Sequence, residues 1–130
     1  MPSKKRKFGD IGEEFAKEYL ISKGYAIDLC NYKKPWGEID VVASKDDFIA
    51  FIEVKTSTYY PESSFTPEIR VNKKKIRSLK RICETYISEQ KLPSGKEWQI
   101  DVISVILNDD DTLRDINHIE NAVFERPYWL

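Results

Sequence analysis

Cysteine, histidine and long hydrophobic runs are scarce in this chain of 130 residues. Cys30 and Cys83 lie far apart without metal-ligand spacing, so we predict two buried or half-buried thiols and no disulfide. The single histidine, His118, stands alone, and we predict a structural role for it. No apolar stretch is long enough to cross a membrane, and no apolar signal-peptide core follows the basic start, so we expect a cytoplasmic protein without a membrane partner.

Charge is nearly balanced overall but is segregated along the chain. A net charge of -1 argues against indiscriminate binding to nucleic acid, and the length and composition predict one globular domain over residues 1–130. Residues 1–7 include a basic block that we predict to be a disordered tail. Between residues 69 and 82 the sequence has no acid and seven basic residues, which are Arg70, Lys73, Lys74, Lys75, Arg77, Lys80 and Arg81.

Hydrophobic periodicity predicts an α/β (α+β) fold with the order α-β-β-β-α-β. We expect a mixed β-sheet of four to five strands flanked by two main helices. The predicted helices cover residues 8–23 and 73–89. The predicted strands cover residues 25–31, 38–45, 48–56 and 98–107, with a last short strand within 114–124. Residues 31–37 and 57–67 are predicted loops because proline, glycine and small polar residues interrupt them.

Two acids and a lysine interrupt the apolar strands of one predicted β-hairpin. Asp40 lies in the first strand, and Glu53 and Lys55 lie in the second. Ionised side chains in such strands cost free energy unless they are paired or bind a metal. A divalent metal ion would offset that cost.

The register of this hairpin decides whether the acids meet. A tight turn at residues 46–47 pairs Lys45 with Phe48 and places Asp40 directly opposite Glu53, on the same face of the sheet. A loop of odd length would instead send the two acids to opposite faces. We favour the even register, in which two adjacent carboxylates need a divalent cation or a proton between them.

This set of side chains suits metal-assisted chemistry. Mg²⁺ or Mn²⁺ would bind Asp40 and Glu53, with the carbonyl of Val54 beside them, and Lys55 would hold a water or a phosphate. Glu38 shares a face with Asp40 and is a candidate outer-shell group. The alternative is a structural ion-pair cluster on a solvated sheet face.

Asp40 is followed, after twelve residues, by Glu53-Val54-Lys55. This spacing resembles the motif of the PD-(D/E)xK nuclease superfamily. The wider sequence is similar to the YraN-like family of small bacterial endonuclease-like proteins, and the similarity runs from about Phe8 to Phe124. The matching positions are Gly12-Glu13, Ala16, Leu20, Gly24-Tyr25, Asn31-Tyr32, Gly37-Glu38-Ile39-Asp40, Glu53-Val54-Lys55, Val71, Lys75, Leu79, Tyr86, Asp101-Val102 and Ile119-Glu120-Asn121-Ala122.

This resemblance implies a restriction-endonuclease-like core, with a mixed sheet between two helices, and a glutamate from the first helix at the site, here Glu13. A helical wheel agrees in part, because Glu13 flanks the apolar stripe of that helix. Two departures stand out. Ile39 occupies a position that is often proline in the superfamily, and Ser57 occupies one that is commonly arginine in YraN-like proteins.

We therefore predict a metal-dependent endodeoxyribonuclease that acts on DNA, such as branched or repair-related DNA. Glu13, Asp40 and Glu53 would bind the metal, and Lys55 would orient the water. The predicted DNA-binding residues are Lys73, Lys74, Arg77, Lys80 and Arg81.

Two alternatives remain open. One is a nuclease-fold module that binds DNA with a repair or recombination partner without cutting it, favoured by Ser57 and the near-neutral charge. The other is a homodimer formed through the apolar segment 127–130.

Overall fold

The computed structural model describes residues 4–60 and 73–122, with only the backbone for Lys4, Lys5, Arg6 and Lys73. Two helices and five strands follow one another in the order α-β-β-β-α-β-β. Their bounds are α1 Lys4–Ser22, β1 Ala26–Lys34, β2 Gly37–Lys45, β3 Phe48–Thr58, α2 Lys73–Glu89, β4 Glu97–Leu107 and β5 Leu113–Ile119. The predicted class and order are confirmed, and β5 corresponds to the last short strand predicted within 114–124.

Helix α1 begins earlier than the hydrophobic pattern predicts. It starts at Lys4 rather than at residue 8, so the prediction of a disordered tail is wrong for residues 4–7. Long unbranched side chains such as lysine and arginine lose little freedom in a helix, so a basic block can extend one without an apolar stripe. Residues 1–3 of the predicted tail lie outside the described part of the chain.

Strand β1 continues through residues that we predicted as a loop. It runs to Lys34, which pairs with Gly37 across a two-residue turn. The buried Tyr32 donates a hydrogen bond to the carboxylate of Glu89 in α2 at 2.5 Å, and Lys34 Nζ contacts the same carboxylate at 2.6 Å. These tertiary contacts stabilise an extended backbone where proline and glycine suggested only a loop.

The five strands form one mixed sheet in the order β1-β2-β3-β4-β5. Strands β3 and β4 are parallel, and α2 lies in the connection between them. The other neighbouring strands are antiparallel. Strand β3 extends to Thr58, two residues into the second predicted loop, because Ser57 and Thr58 pair with the end of β4.

A hydrophobic core lies on each face of the sheet, one under each helix. The core under α2 contains Tyr32, Ile39, Val42, Ile49, Phe51, Leu79, Ile82, Cys83, Tyr86 and Ile100. The core under α1 contains Ala16, Leu20, Tyr25, Val41, Ala43, Ala50, Ile52, Ile103, Val105 and Leu107. This arrangement confirms the sheet between two helices that the family resemblance implies.

The β2–β3 hairpin has the predicted even register. Lys45 pairs with Phe48 across the turn, and the same register continues to the pair Val41 and Ile52. The turn residue Asp46 has a positive φ of 52°, a conformation that aspartate tolerates better than most residues. Asp40 and Glu53 directly follow the Val41–Ile52 pair, one on each strand.

Cys30 and Cys83 are both free thiols, as predicted. Within the described ranges, no helix combines the length and the apolar character that crossing a bilayer requires. Residues 61–67 of the second predicted loop and residues 127–130 of the predicted dimer contact lie outside the described ranges, as do residues 123–124 at the end of the last predicted segment.

Candidate functional site

Asp40 is a partly buried acid at the start of the hairpin. One of its oxygens, Oδ2, accepts a hydrogen bond from the backbone N–H of Val54 at 2.8 Å. Burial and repulsion from Glu53 and Glu38 raise the pKa of Asp40 to about 6, although the Val54 N–H and Lys55 favour its ionised form. The site therefore holds this carboxylate close to its neighbours without enough positive charge to stabilise it fully.

Glu53 has two oxygens in different surroundings. Its Oε1 lies 2.7 Å from Lys75 Nζ and 3.3 Å from Lys55 Nζ. Its Oε2 is buried and has no hydrogen-bond partner among residues 4–60 and 73–122. A buried polar atom without a partner costs free energy, so Oε2 is a position where a bound cation would add a favourable interaction.

Helix α1 reaches this site because it approaches β3 very closely at Gly12. A Cβ atom at Gly12 would lie 1.8 Å from Thr56 Oγ1, so only glycine fits there without a shift of the helix or the strand. This close approach brings the next residue, Glu13, towards the hairpin. The glycine at position 12 therefore allows the close packing of α1 on β3 that positions Glu13.

Glu13 is electrostatically coupled to the hairpin acids. Burial, together with repulsion from Asp40, Asp10 and Glu38, raises the pKa of Glu13 to about 7, and Lys17 opposes this shift. A carboxyl group with such a pKa is partly protonated near neutral pH in the metal-free protein. Glu13 and Asp40 therefore repel each other electrostatically, and the role of Glu13 as a metal ligand stays a prediction.

Glu38 lies between two cavities beside these acids. One cavity of about 470 Å³ lies towards α2 and is lined by Gly37, Glu38, Glu53, Lys74, Lys75, Ser78, Leu79 and Ile82. A second cavity of about 440 Å³ lies towards α1 and is lined by Gly9, Asp10, Glu13, Asn31, Lys33 and Glu38. Glu38 therefore belongs to the rim of the site, and the two cavities differ in charge.

The basic residues of α2 are not equivalent. Lys74 lines the cavity towards α2, and Arg77 is exposed on the helix. Lys80 is half-buried, and the guanidinium of Arg81 lies 4.1 Å from the ring centroid of Trp36, which is a cation–π contact. The side chain of the fifth predicted DNA-binding residue, Lys73, lies outside the described part of the structure.

The donor set around Asp40 and Glu53 fits a hard divalent cation. Mg²⁺ and Mn²⁺ prefer carboxylate and carbonyl oxygens, and Glu53 offers a buried oxygen without a protein partner. In Asp40, Oδ2 accepts the hydrogen bond from the Val54 N–H, and Oδ1 is the second oxygen that could bind a cation. The residues predicted as ligands are thus compatible with Mg²⁺ or Mn²⁺, with Glu13 and Glu38 nearby.

Lys75 is the residue at this site that the sequence analysis did not assign. It lies closer to Glu53 than the motif lysine, Lys55, does. Burial lowers the pKa of Lys75, but its hydrogen bond and charge attraction to Glu53 outweigh this effect and raise it. One signal could have identified Lys75, because it precedes the buried Leu79 by one helical turn and therefore faces the sheet.

A second group of titratable side chains lies on β4 and β5, the two strands that continue the sheet beyond the β3 side of the hairpin. Asp101 is fully buried, and its Oδ1 accepts hydrogen bonds from Gln99 Nε2 and from the N–H of Asn121, both at 2.9 Å. Its Oδ2 lies 2.8 Å from His118 Nε2, and His118 Nδ1 lies 3.2 Å from the hydroxyl of Tyr19 in α1. His118 is therefore not isolated, contrary to the sequence analysis.

Donor atoms of Asp101, His118 and Glu120 lie within 4.8 Å of one another, which is a spacing that a metal ion could bridge. Here, however, hydrogen bonds from protein groups already occupy both oxygens of Asp101. The network connects α1, β4 and β5 across nonlocal contacts. Its geometry is that of a satisfied structural cluster.

The fold and the hairpin site define an α+β protein with a mixed sheet and an acidic cluster beside a basic helix. Comparison with known proteins identifies its family. The profile described as "Uncharacterised protein family UPF0102" matches residues 12–105, and the chain belongs to this family. The resemblance to YraN-like proteins is thereby confirmed.

Relatives share most of their length with this chain. A UPF0102 protein of Alkaliphilus oremlandii is 40% identical over 120 residues, which cover 90% of this chain and 97% of the relative. One of Dictyoglomus thermophilum is 36% identical over 117 residues, with 90% and 97% covered. One of Syntrophomonas wolfei is 40% identical over 121 residues, with the same coverage. These names state no activity.

Proposed function

We propose that this protein is a metal-dependent nuclease that hydrolyses phosphodiester bonds in DNA. The observation that carries the proposal is the buried Oε2 of Glu53, which has no partner within the described ranges and lies next to Asp40 and two lysines. A carboxylate pair beside positive charge is the equipment that metal-assisted phosphodiester hydrolysis requires.

Each residue would have a distinct task. Asp40 and Glu53 would hold Mg²⁺ or Mn²⁺, with Glu13 and the carbonyl of Val54 completing the protein ligands. A metal bound there would lower the pKa of a coordinated water and neutralise charge on the phosphate. Lys55, whose Nζ lies 3.3 Å from Glu53 Oε1, would orient the attacking water or the scissile phosphate.

The exposed basic surface of α2 supports the choice of DNA as the substrate class. Lys74 and Arg77 would contact backbone phosphates, whereas Arg81 would act partly through its stacking on Trp36. Phosphate contacts of this kind position a duplex without reading its sequence. Within DNA, we propose branched or repair-related structures as the substrate, and the flap and four-way substrates below test this choice.

Purified protein should be incubated with Mg²⁺ or Mn²⁺ and with duplex, single-stranded, flap and four-way DNA. We expect metal-dependent cleavage of at least one substrate that is lost in Asp40→Asn and Lys55→Ala. The control Asp47→Asn changes an exposed acid in the turn of the same hairpin and should cut normally. Absence of cleavage of every substrate, or equal cleavage by Asp40→Asn, would contradict the proposal.

One observation favours a second candidate, a DNA-binding module without catalysis. Ser57 stands where YraN-like proteins commonly carry arginine, and here it is a half-buried residue of β3. DNA binding that survives Asp40→Asn, without metal binding measured by calorimetry, would support this candidate over the nuclease.

A further inference from the structure

The cavity between α2 and the start of β2 carries cationic residues on its helix side. It has a volume of about 470 Å³, and its lining combines apolar residues with two lysines, Ser78 and the acids Glu38 and Glu53. Its polar lining on the helix side comes from Lys74, Lys75 and Ser78. Glu53 connects this cavity to the candidate metal centre.

Lys75 is the cation best placed to act in this cavity. Its Nζ lies 2.7 Å from Glu53 Oε1, against 3.3 Å for Lys55. Its side chain is 37% exposed, so it contacts both Glu53 and solvent, whereas Glu53 is only 16% exposed. Lys75 therefore extends from the hairpin acids towards the open part of the cavity.

Lys75 is paired with an acid of the hairpin. Its Nζ forms an ion pair with Glu53 Oε1 at 2.7 Å. A lysine ammonium is a compact cation with three donors, so it can bridge a carboxylate and a phosphate oxygen. Ser78 and Lys74 line the same cavity, and their side chains carry a hydroxyl and an ammonium group.

We propose that Lys75, Lys74 and Ser78 form a phosphate-binding subsite for the DNA backbone next to the metal centre. This inference rests on the proposed function and adds a specific substrate contact to it. Lys75 would supply a phosphate-binding cation on the α2 side of the metal centre. Because Lys75 also contacts Glu53, it fixes the distance between that phosphate and the acids.

The test compares Lys75→Gln, Lys75→Arg and the control Lys91→Gln. Lys91 is exposed and lies beyond the far end of α2, about 24 Å along the chain from Lys75 at helical rise. Binding of fluorescein-labelled duplex and four-way DNA is followed by fluorescence anisotropy in Ca²⁺, at salt concentrations from about 50 mM upwards. Thermal unfolding monitored by circular dichroism establishes that each variant is folded.

We expect Lys75→Gln to bind DNA roughly tenfold more weakly at low salt, with a salt-dependence slope smaller by about one. Lys75→Arg should restore most of the affinity because it retains the charge. Lys91→Gln should match the wild type. A purely structural role for Lys75 would not change the slope.

A second pair of variants tests the cavity if Lys75→Gln does not fold. Ser78→Asp introduces a negative charge into the cavity and should strongly weaken DNA binding, whereas the exposed Ser88→Asp near the end of α2 should have little effect. Equal DNA binding by these two variants would overturn the subsite.

The outcomes separate this inference from the proposed nuclease. If the wild type binds DNA and Lys75→Gln binds it with the same affinity and slope, the subsite is wrong and the nuclease proposal stands. If Lys75→Arg fails to restore binding, a charge-based role is wrong. If the Lys75 effect appears but no DNA is cut, the subsite stands and the nuclease is wrong. If the wild type binds no DNA, both are wrong.

Discussion

The molecule contains two acidic clusters that differ in how well their oxygens are satisfied. On β4, Asp101 is completely buried, yet three protein groups donate to or contact its two oxygens. On the hairpin, Asp40 and Glu53 are less deeply buried, but Glu53 keeps one buried oxygen without a partner in the described part of the chain. Greater burial therefore accompanies the more complete hydrogen bonding.

This difference distinguishes a structural acid from a candidate ligand. A fully satisfied carboxylate contributes to stability, because the fold supplies the interactions that water would otherwise provide. An incompletely satisfied pair lowers stability until a cation or proton arrives, and such strain is characteristic of functional sites. We therefore propose that Asp101 serves folding and that the hairpin acids bind metal.

The largest expected effect is on the satisfied cluster. Asp101→Ala should lower the free energy of unfolding by about 3–5 kcal/mol, because it leaves His118, Gln99 and the Asn121 N–H without their acceptor. Urea denaturation measures the loss. The control Asp115→Ala, an exposed residue of β5, should change stability by less than about 0.5 kcal/mol. Equal losses in the two variants would remove the distinction between these acids.

A somewhat smaller effect is expected where α1 meets β3. Gly12→Ala should lower the free energy of unfolding by about 1–3 kcal/mol, because its Cβ would overlap Thr56. It should also weaken Mn²⁺ binding by moving Glu13. The matched control is Gly9→Ala, whose Cβ would meet no atom within 4 Å. This substitution should raise the free energy of unfolding by about 0.5–1 kcal/mol, because alanine is favoured over glycine inside a helix. Stabilisation by both substitutions would contradict the close approach.

Asp40→Asn should change stability in the opposite direction to Asp101→Ala. The folded-state pKa of Asp40 is about 6, above its ordinary value of 3.8, so ionisation destabilises the folded protein as the pH rises through this interval. The neutral amide avoids that cost and can still accept from the Val54 N–H. Without metal at about pH 8, we expect a gain of about 1–2 kcal/mol in urea denaturation. A loss of stability would contradict this assignment.

The smallest expected effect is a change in pH dependence. The pKa of Glu13 rises from 4.5 to about 7, so the metal-free protein should lose stability as the pH increases across that interval. Glu13→Gln should flatten the dependence of stability on pH in this interval. The change should be smaller than that caused by Asp40→Asn, because Glu13 is more exposed to screening solvent. Thermal unfolding at a series of pH values measures this dependence. The control Asp47→Asn, which changes an exposed acid in the β2–β3 turn, should retain the wild-type slope.

The hairpin could be predicted from the sequence because its determinants are local. The apolar strands and the even turn at residues 46–47 fix the register of Lys45 with Phe48, and that register brings Asp40 towards Glu53. The second helix was predicted with the bounds Lys73–Glu89 because its apolar stripe is strongly periodic.

Nonlocal contacts account for what the sequence analysis missed. Strand β1 extends to Lys34 because Glu89, far along the chain, binds Tyr32 and Lys34. The partnership of His118 with Asp101 depends on the pairing of β5 with β4, which no local pattern encodes. Lys75 could be assigned a packing role from helical spacing alone, but its contact with Glu53 requires the position of α2 on the sheet.

The most direct test of the metal assignment is calorimetric titration of Mn²⁺ into the wild type, Asp40→Asn and His118→Gln. We expect the wild type and His118→Gln to bind Mn²⁺ alike and Asp40→Asn to lose binding, because we propose the hairpin carboxylates as the ligands. Binding that persists in Asp40→Asn and disappears in His118→Gln would place the metal at Asp101, His118 and Glu120 and contradict the assignment. Absence of binding by the wild type would contradict it as well.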